Sequence, residues 1–144
     1  VLVDVVNVSP SNNRKLAEQI LEQNGLLVSE NPPGTKGTPG MFAKRDRIQA
    51  GFGMAIFAIE TATDGGTMHS VSTANLMGRD VFVPDPEAAG YLDLSIKAIS
   101  GTQSLLVEGK AKAYTRSSYD QILIELNQLV ASFETRDYEK VGLV

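Results

Sequence analysis

At 144 residues with 42% hydrophobic content, the chain has the size of one domain and enough apolar material for a core, which excludes a disordered linker. It contains no cysteine and one histidine, His69, so disulfide frameworks, cysteine-based zinc sites and His-rich metal sites are excluded, and no cofactor is expected. The net charge of −4 argues against bulk attraction to nucleic acid, and the longest apolar run, Ala50 to Ile59, falls far short of the roughly 18 residues of a membrane span.

In chain order, Val1 to Val6 is β-branched and apolar except for Asp4, which predicts a buried strand of a parallel sheet. Ser9-Pro10-Ser11-Asn12 reads as a turn and cap. Arg14 to Gln23 then carries Leu16, Ala17, Ile20 and Leu21 at helical spacing, and Asn24-Gly25 stops it. Leu26 to Ser29 predicts a second strand, completing a βαβ unit. A Pro/Gly-rich loop, Asn31 to Gly40, carries Lys36. Met41 to Gly51 predicts a helix and Met54 to Ile59 a third strand. Thr67 to Met77 predicts a helix capped by Thr67 at its start and Gly78 at its end, and Asp80 to Val83 a fourth strand, stopped by Pro84-Asp85-Pro86. Beyond these, the pattern predicts a helix over Tyr91 to Ile99, one or two turns over Gln103 to Glu108 ending at Gly109, and an edge strand over Lys110 to Thr115. An amphipathic helix follows over Tyr119 to Phe133, capped by Ser117 or Ser118. The alternation predicts an α/β fold, Rossmann-like, with a mostly parallel sheet and helices on both faces. Residues 1–133 read as one domain and 134–144 as a tail. The chain opens on Val1 rather than Met, which reads as a fragment or a processed product.

Candidate chemistry gathers between Ser29 and Met68. The segment from Asn31 to Gly51 holds four cations, Lys36, Lys44, Arg45 and Arg47, against one anion, Asp46, an island of positive charge on an acidic chain that suits a local polyanion. After the third strand, Asp64-Gly65-Gly66-Thr67 opens a helix. Its glycines let backbone approach a ligand, and the unpaired N–H groups of a helix start favour an anion. The bland alternative is a tight turn beside solvated cations. Arg45 and Arg47 stand about 200° apart around a helix, so one faces a ligand while the other anchors the fold, against Glu60 or Asp64. Arg45 is the better candidate for the ligand contact. Lys44 and Lys36 either meet phosphate or are solvated, and Phe42 either stacks a base or packs at the helix start. Glu30, at the carboxyl end of a strand, either holds a sugar hydroxyl or, as the simpler reading, pairs with an arginine. His69 reads as a surface or supporting residue, and no paired carboxylates, metal cluster or nucleophile elbow are visible.

Several spaced motifs bear a resemblance. Gly-Leu-Leu-Val-Ser-Glu-x-Pro-Pro-Gly (Gly25 to Gly34), Phe-x-x-Arg-x-Arg-Ile-x-Ala-Gly (Phe42 to Gly51), Glu-x4-Gly-Gly-Thr-x-His-Ser (Glu60 to Ser70) and Gly-Arg-x-Val-Phe-x-Pro (Gly78 to Pro84) follow one another in order. A looser match spans Gly101 to Gly109. Together they resemble the DNA-processing protein A (DprA/Smf) family over roughly residues 1 to 115. The resemblance implies a Rossmann-like fold, binding of single-stranded DNA, a homodimer, a RecA-type recombinase as partner in natural transformation, and a cytoplasmic location. It places Phe42 to Arg47 at the DNA pocket and Gly65, Gly66 and Thr67 at the carboxyl end of the sheet. It implies that a preceding portion with a Gly-Ser-Arg phosphate-contacting motif stands outside this sequence, as does the winged-helix domain of some members. Asp46 stands where the family has Asn, and Ala43 where it often has Pro. The alternative is a nucleotide-binding enzyme of the phosphoribohydrolase, or lysine-decarboxylase-like, superfamily. There a glutamate follows the Gly-Thr by three positions; here Ser70 occupies that place, which argues for a binding module without catalysis.

Overall fold

The computed structural model of the chain describes residues 1–91 and 96–134. Helices α1 (Arg14–Glu22), α2 (Pro39–Phe52), α3 (Thr67–Leu76), α4 (Ser100–Val107) and α5 (Tyr119–Glu134) alternate with strands β1 (Ala55–Phe57), β2 (Asp80–Pro84) and β3 (Lys112–Tyr114). The sheet has the order β1-β2-β3 and both pairings are parallel, with Phe57 opposite Phe82 and Val83 opposite Ala113. The fold is therefore α/β with a parallel sheet, and β3 lies at an edge as the sequence predicts.

Period-two alternation divides the sheet's residues between two cores. On one side Val81 and Val83 pack with Ala58, with Ala50 of α2, Val71 and Ala74 of α3 and Leu105 of α4. On the other, Phe82 and Tyr114 pack with Ile122 of α5, and Phe57 stacks on Phe82 with ring centroids 4.9 Å apart. Helices thus cover both faces. The small buried residues Ala50 and Ala74 let α2 and α3 lie close together and against the strands.

The helix ends follow local chemistry. Asn24 adopts φ 60° and stops α1, and the next residue must be glycine because a Cβ on Gly25 would stand 2.6 Å from the Ile20 carbonyl oxygen. Gly78 (φ 66°) and Gly109 (φ 66°) close α3 and α4 in the same left-handed conformation. Pro39 at the start of α2 has its φ already helical and no N–H to leave unpaired.

Several expectations are corrected. Val1–Val6 and Leu26–Ser29 are not strands. One backbone bond joins them, from the Leu2 N–H to the Val28 carbonyl at 2.8 Å. The groups that would extend a ladder are diverted to side chains: the Val3 carbonyl accepts from Ser29 Oγ (2.8 Å) and Asn31 Nδ2 (2.9 Å), and the Val6 N–H donates to Asp4. Thr67 is the first helical residue of α3, not its cap; Gly66 holds the cap position and no side chain bonds there. Thr115 and Ser118 form a reciprocal capping box on a short 3-10 turn, Arg116–Ser118, that runs into α5. Pro10 opens a 3-10 turn, Ser11–Asn13, ahead of α1 with no capping side chain. The helix predicted over Tyr91 to Ile99 falls partly outside the described residues. What is described is a 3-10 turn, Lys97–Ile99, leading into the longer-than-predicted α4. The tail beyond 134 also lies outside them.

Candidate functional site

Three helix starts converge beyond the carboxyl end of β1. Ser70 Oγ of α3 approaches the Asp46 carbonyl of α2 at 3.5 Å, and Arg79, just past α3, donates to the Gly51 carbonyl near the end of α2 at 2.9 Å. The middle of α2 meets the first turn of α3 and the end of α2 meets the residue past α3, so the two helices run in the same direction with their N-termini at the same end of the fold. Arg79 places its charge at the C-terminal end of α2, where the last carbonyls and the helix dipole favour a cation. The third start belongs to α4. The Gly101 N–H donates to the Thr61 carbonyl at 2.8 Å, and a Cβ on Gly101 would stand 2.6 Å from the Ala62 carbonyl oxygen, so only glycine lets α4 press against this loop. Gly65 is equally confined by Thr61 and Ala62, whereas Gly66 faces open space. The Gly-Gly-Thr turn therefore divides its labour: Gly65 permits the tight loop, and Gly66 and Thr67 present an uncapped, exposed helix start.

The basic segment sits on the first half of α2, at the same end. Phe42 is half-buried, with its ring 3.3 Å from the place a Cβ on Gly37 would occupy. The Arg45 guanidinium lies over that ring, 5.6 Å from its centroid, and Nη2 donates to Asp46 Oδ1 at 3.0 Å. The Arg45 and Asp46 side chains are 23% and 15% exposed, and Arg45 Nε is buried with no hydrogen-bond partner among the described residues. Arg47 forms an ion pair with Glu30, so its anchor is Glu30 rather than Glu60 or Asp64. The pairing of Glu30 with an arginine is as the sequence suggests. Lys44 and Lys36 are exposed.

The sequence's candidate residues thus fall into three roles. Lys36 and Phe42 line one cavity, together with residues of the Pro/Gly loop. Arg45 bridges Phe42 and Asp46, turned inward and held, rather than reaching out. Arg47 is committed to Glu30, tying α2 to the segment after residue 28. His69 is exposed. Among the described residues no group of three His, Cys, Asp or Glu side chains could hold a metal ion.

Two contributors escape the sequence reading. Asp4, 4% exposed, lines the cavity of Lys36 and Phe42. Its carboxyl is held below the ordinary range, first by the Val6 and Gly34 backbone N–H groups and then by the Asn7 amide. A lone carboxylate inside an apolar β-branched run was the available signal, since such a group must find donors. Lys97 pairs with Asp64 at 3.0 Å beside the Gly-Gly-Thr turn, and its hydrogen bond and charge lower the Asp64 pKa. Both side chains are well exposed, so the pair adds little stability, and Lys97 offsets the negative charge of Asp64 near the helix start.

Residues 2–127 match the sequence model of a family described as "DNA recombination-mediator protein A". The chain is similar to a protein named Smf from Synechocystis sp., 40% identical over 92 residues that make up 60% of this chain and 23% of the relative. It is similar to Smf from Borreliella burgdorferi, 33% identical over 87 residues, 60% of this chain and 28% of the relative. It also matches a DNA processing protein DprA from Bacillus subtilis, 30% identical over 110 residues, 71% of this chain and 37% of the relative. Among solved structures it resembles DNA processing protein A from Helicobacter pylori, described for its single-stranded DNA binding mode. That likeness has a TM-score of 0.62 and 25% identity, over 87% of this chain and 52% of that one. The chain spans well under half the length of these three sequence relatives.

Proposed function

Because the chain belongs to the DNA recombination-mediator protein A family, we propose that it is a single-stranded DNA-binding module that acts by binding and not by catalysis. One observation carries the reading: an aromatic ring, Phe42, stands with Arg45, Lys44 and Lys36 at the end of the fold where the α2 and α3 N-termini meet. Single strands are held by such a combination, because cations meet phosphates and exposed rings stack bases irrespective of sequence. The Helicobacter pylori protein that the fold resembles is described as binding single-stranded DNA, which supports the same class of ligand.

Two assembly partners belong to this reading. A homodimer is supported by the apolar residues that α5 leaves exposed, Leu123, Ile124, Leu129 and Val130. A RecA-type recombinase, a cytoplasmic location and a role in DNA uptake and recombination rest on the family resemblance alone. No helix among the described residues is long and apolar enough to cross a membrane. The absence of catalysis rests on Ser70, whose hydroxyl stands where the phosphoribohydrolases carry a glutamate and lies 3.5 Å from the Asp46 backbone carbonyl.

The test is fluorescence anisotropy of a labelled oligonucleotide over a salt series. Log affinity against log salt falls with a slope of about −0.7 per phosphate contacted in a single strand. Lys44→Ala and Arg45→Ala should each weaken binding and flatten that slope. Affinity indifferent to both substitutions would overturn the proposal.

A further inference from the structure

We propose that Glu30 is a positioning residue for DNA binding: through its ion pair with Arg47 it sets where Lys36 stands relative to Lys44 and Arg45. The proposal rests on the DNA-binding reading and adds what holds the cations of that surface in register. Those cations stand on two separately fastened parts of the chain. Lys36 lies on the Pro/Gly loop, whose first half is tied to the N-terminal segment. There Asn31 Nδ2 donates to the Val3 carbonyl at 2.9 Å and the Gly34 N–H to Asp4 Oδ1 at 3.0 Å, beside the Leu2–Val28 backbone bond. Lys44 and Arg45 lie on α2, which is tied elsewhere. Ser70 of α3 approaches its Asp46 carbonyl, Arg79 donates to its Gly51 carbonyl, and Ala50 is buried in the core.

Glu30 and Arg47 join the two parts. They stand 17 positions apart, one just before the loop and the other in α2. Among the described residues no other hydrogen bond or ion pair links residues 28–37 to α2. Phe42 packs toward Gly37, but a van der Waals contact between a ring and a glycine sets no direction. The two side chains of the pair are 49% and 38% exposed, so the pair adds little to global stability. Its effect is local: it closes the base of the segment that carries Lys36 onto the helix that carries Lys44. Without it, the lysine on the loop and the cations on α2 no longer keep one spacing, and a strand that spans both meets only one set at a time.

Anisotropy of the full chain with a labelled oligo-dT tests this, beside urea unfolding to show each variant folded at the assay temperature. Plain electrostatics expects Glu30→Gln to tighten binding, because it removes an anion beside a polyanion site and frees Arg47. Positioning expects the opposite sign, binding about two- to fivefold weaker, the scale of an exposed ion pair. A double-substitution cycle gives the specific readout. Lys36→Ala should weaken binding in the unsubstituted protein and have almost no effect in Glu30→Gln, while Lys44→Ala should cost the same factor in both. A general loss of folded protein would scale every affinity alike and leave both factors unchanged. The reversed pair, Glu30→Arg with Arg47→Glu, keeps the net charge and should recover the affinity that Arg47→Glu alone loses. Three results each overturn the proposal while leaving DNA binding intact: unchanged or tighter binding by Glu30→Gln, an equal Lys36→Ala factor in both backgrounds, or a reversed pair no better than Arg47→Glu alone. Failure of the unsubstituted protein to bind overturns both readings.

Discussion

Replacing Asp46 by Asn should tighten DNA binding. In the free protein the Asp46 carboxylate holds the Arg45 guanidinium at 3.0 Å, with both side chains largely shielded from water. Any phosphate that approaches Arg45 competes with this internal anion and meets its charge. Asparagine keeps the volume and one acceptor oxygen but removes the charge, leaving Arg45 positioned over Phe42 and free to take a phosphate oxygen in its place. The local balance between Asn31 and Gly51 rises from three net positive charges to four. The Arg45–phosphate contact, no longer shared with an internal anion, becomes a full one, so the log–log salt slope should steepen by less than about 0.7. A gain of about 0.7–1.4 kcal/mol, the scale of one freed and partly shielded charge contact, corresponds to three- to tenfold tighter binding at low salt. The cost in stability should stay near 1 kcal/mol, because the pair is adjacent in sequence and reaches solvent. The assay is anisotropy over a salt series beside urea unfolding of both proteins. Unchanged affinity and slope in a folded Asp46→Asn protein would refute the view that Asp46 restrains Arg45.

Other outcomes follow from the same geometry. Leu105→Ala, at a 2% exposed position in the core under β2, should lose about 2–5 kcal/mol in urea unfolding with an unchanged denaturant slope. Gly101→Ala places a methyl 2.6 Å from the Ala62 carbonyl and should destabilise by about 1–3 kcal/mol, read as a lowered unfolding midpoint; a neutral result would mean that α4 does not press on this loop. Asp4 has a lowered folded pKa, so its stabilisation is present above the ordinary carboxylate value and lost as pH falls through the lower folded value. NMR should show the contacts of residues 2–7 with 28–34 loosening only at pH below the usual aspartate range, whereas in Asp4→Asn, which has no carboxylate to titrate, they should be loosened already at neutral pH. Incubation with AMP should release no free base; release would restore the enzyme alternative.

The parts of the fold legible in the sequence are those whose pattern is set by their own neighbours. The central strand β2 is a continuous apolar run, α5 repeats its apolar residues at helical spacing, and Asn24, Gly78 and Gly109 mark helix ends that need a left-handed backbone. Val1–Val6 misleads because β-branched composition reports a preference for extended backbone, while a strand also needs a partner for its ladder groups. Here Ser29, Asn31 and Asp4 take those groups instead. The site shows the same limit. Helical rotation separates Arg45 from Arg47, but only tertiary placement brings Glu30 to Arg47 and leaves Asp46 as the partner of Arg45. Asp4 and Lys36 lie far apart in sequence, and the cavity they share exists only once the Pro/Gly loop folds back on Asp4 through the Gly34 N–H.

The most direct measurement is an NMR titration of the isotopically labelled chain with a short single-stranded oligonucleotide. Amide shifts should concentrate at Gly34 to Arg45 and at Gly66 and Thr67, the two segments that meet where the N-termini of α2 and α3 converge. Shifts confined to α5, or to the separate apolar cavity lined by Met68, Val71, Leu76 and Leu105, would place the DNA elsewhere and contradict the account.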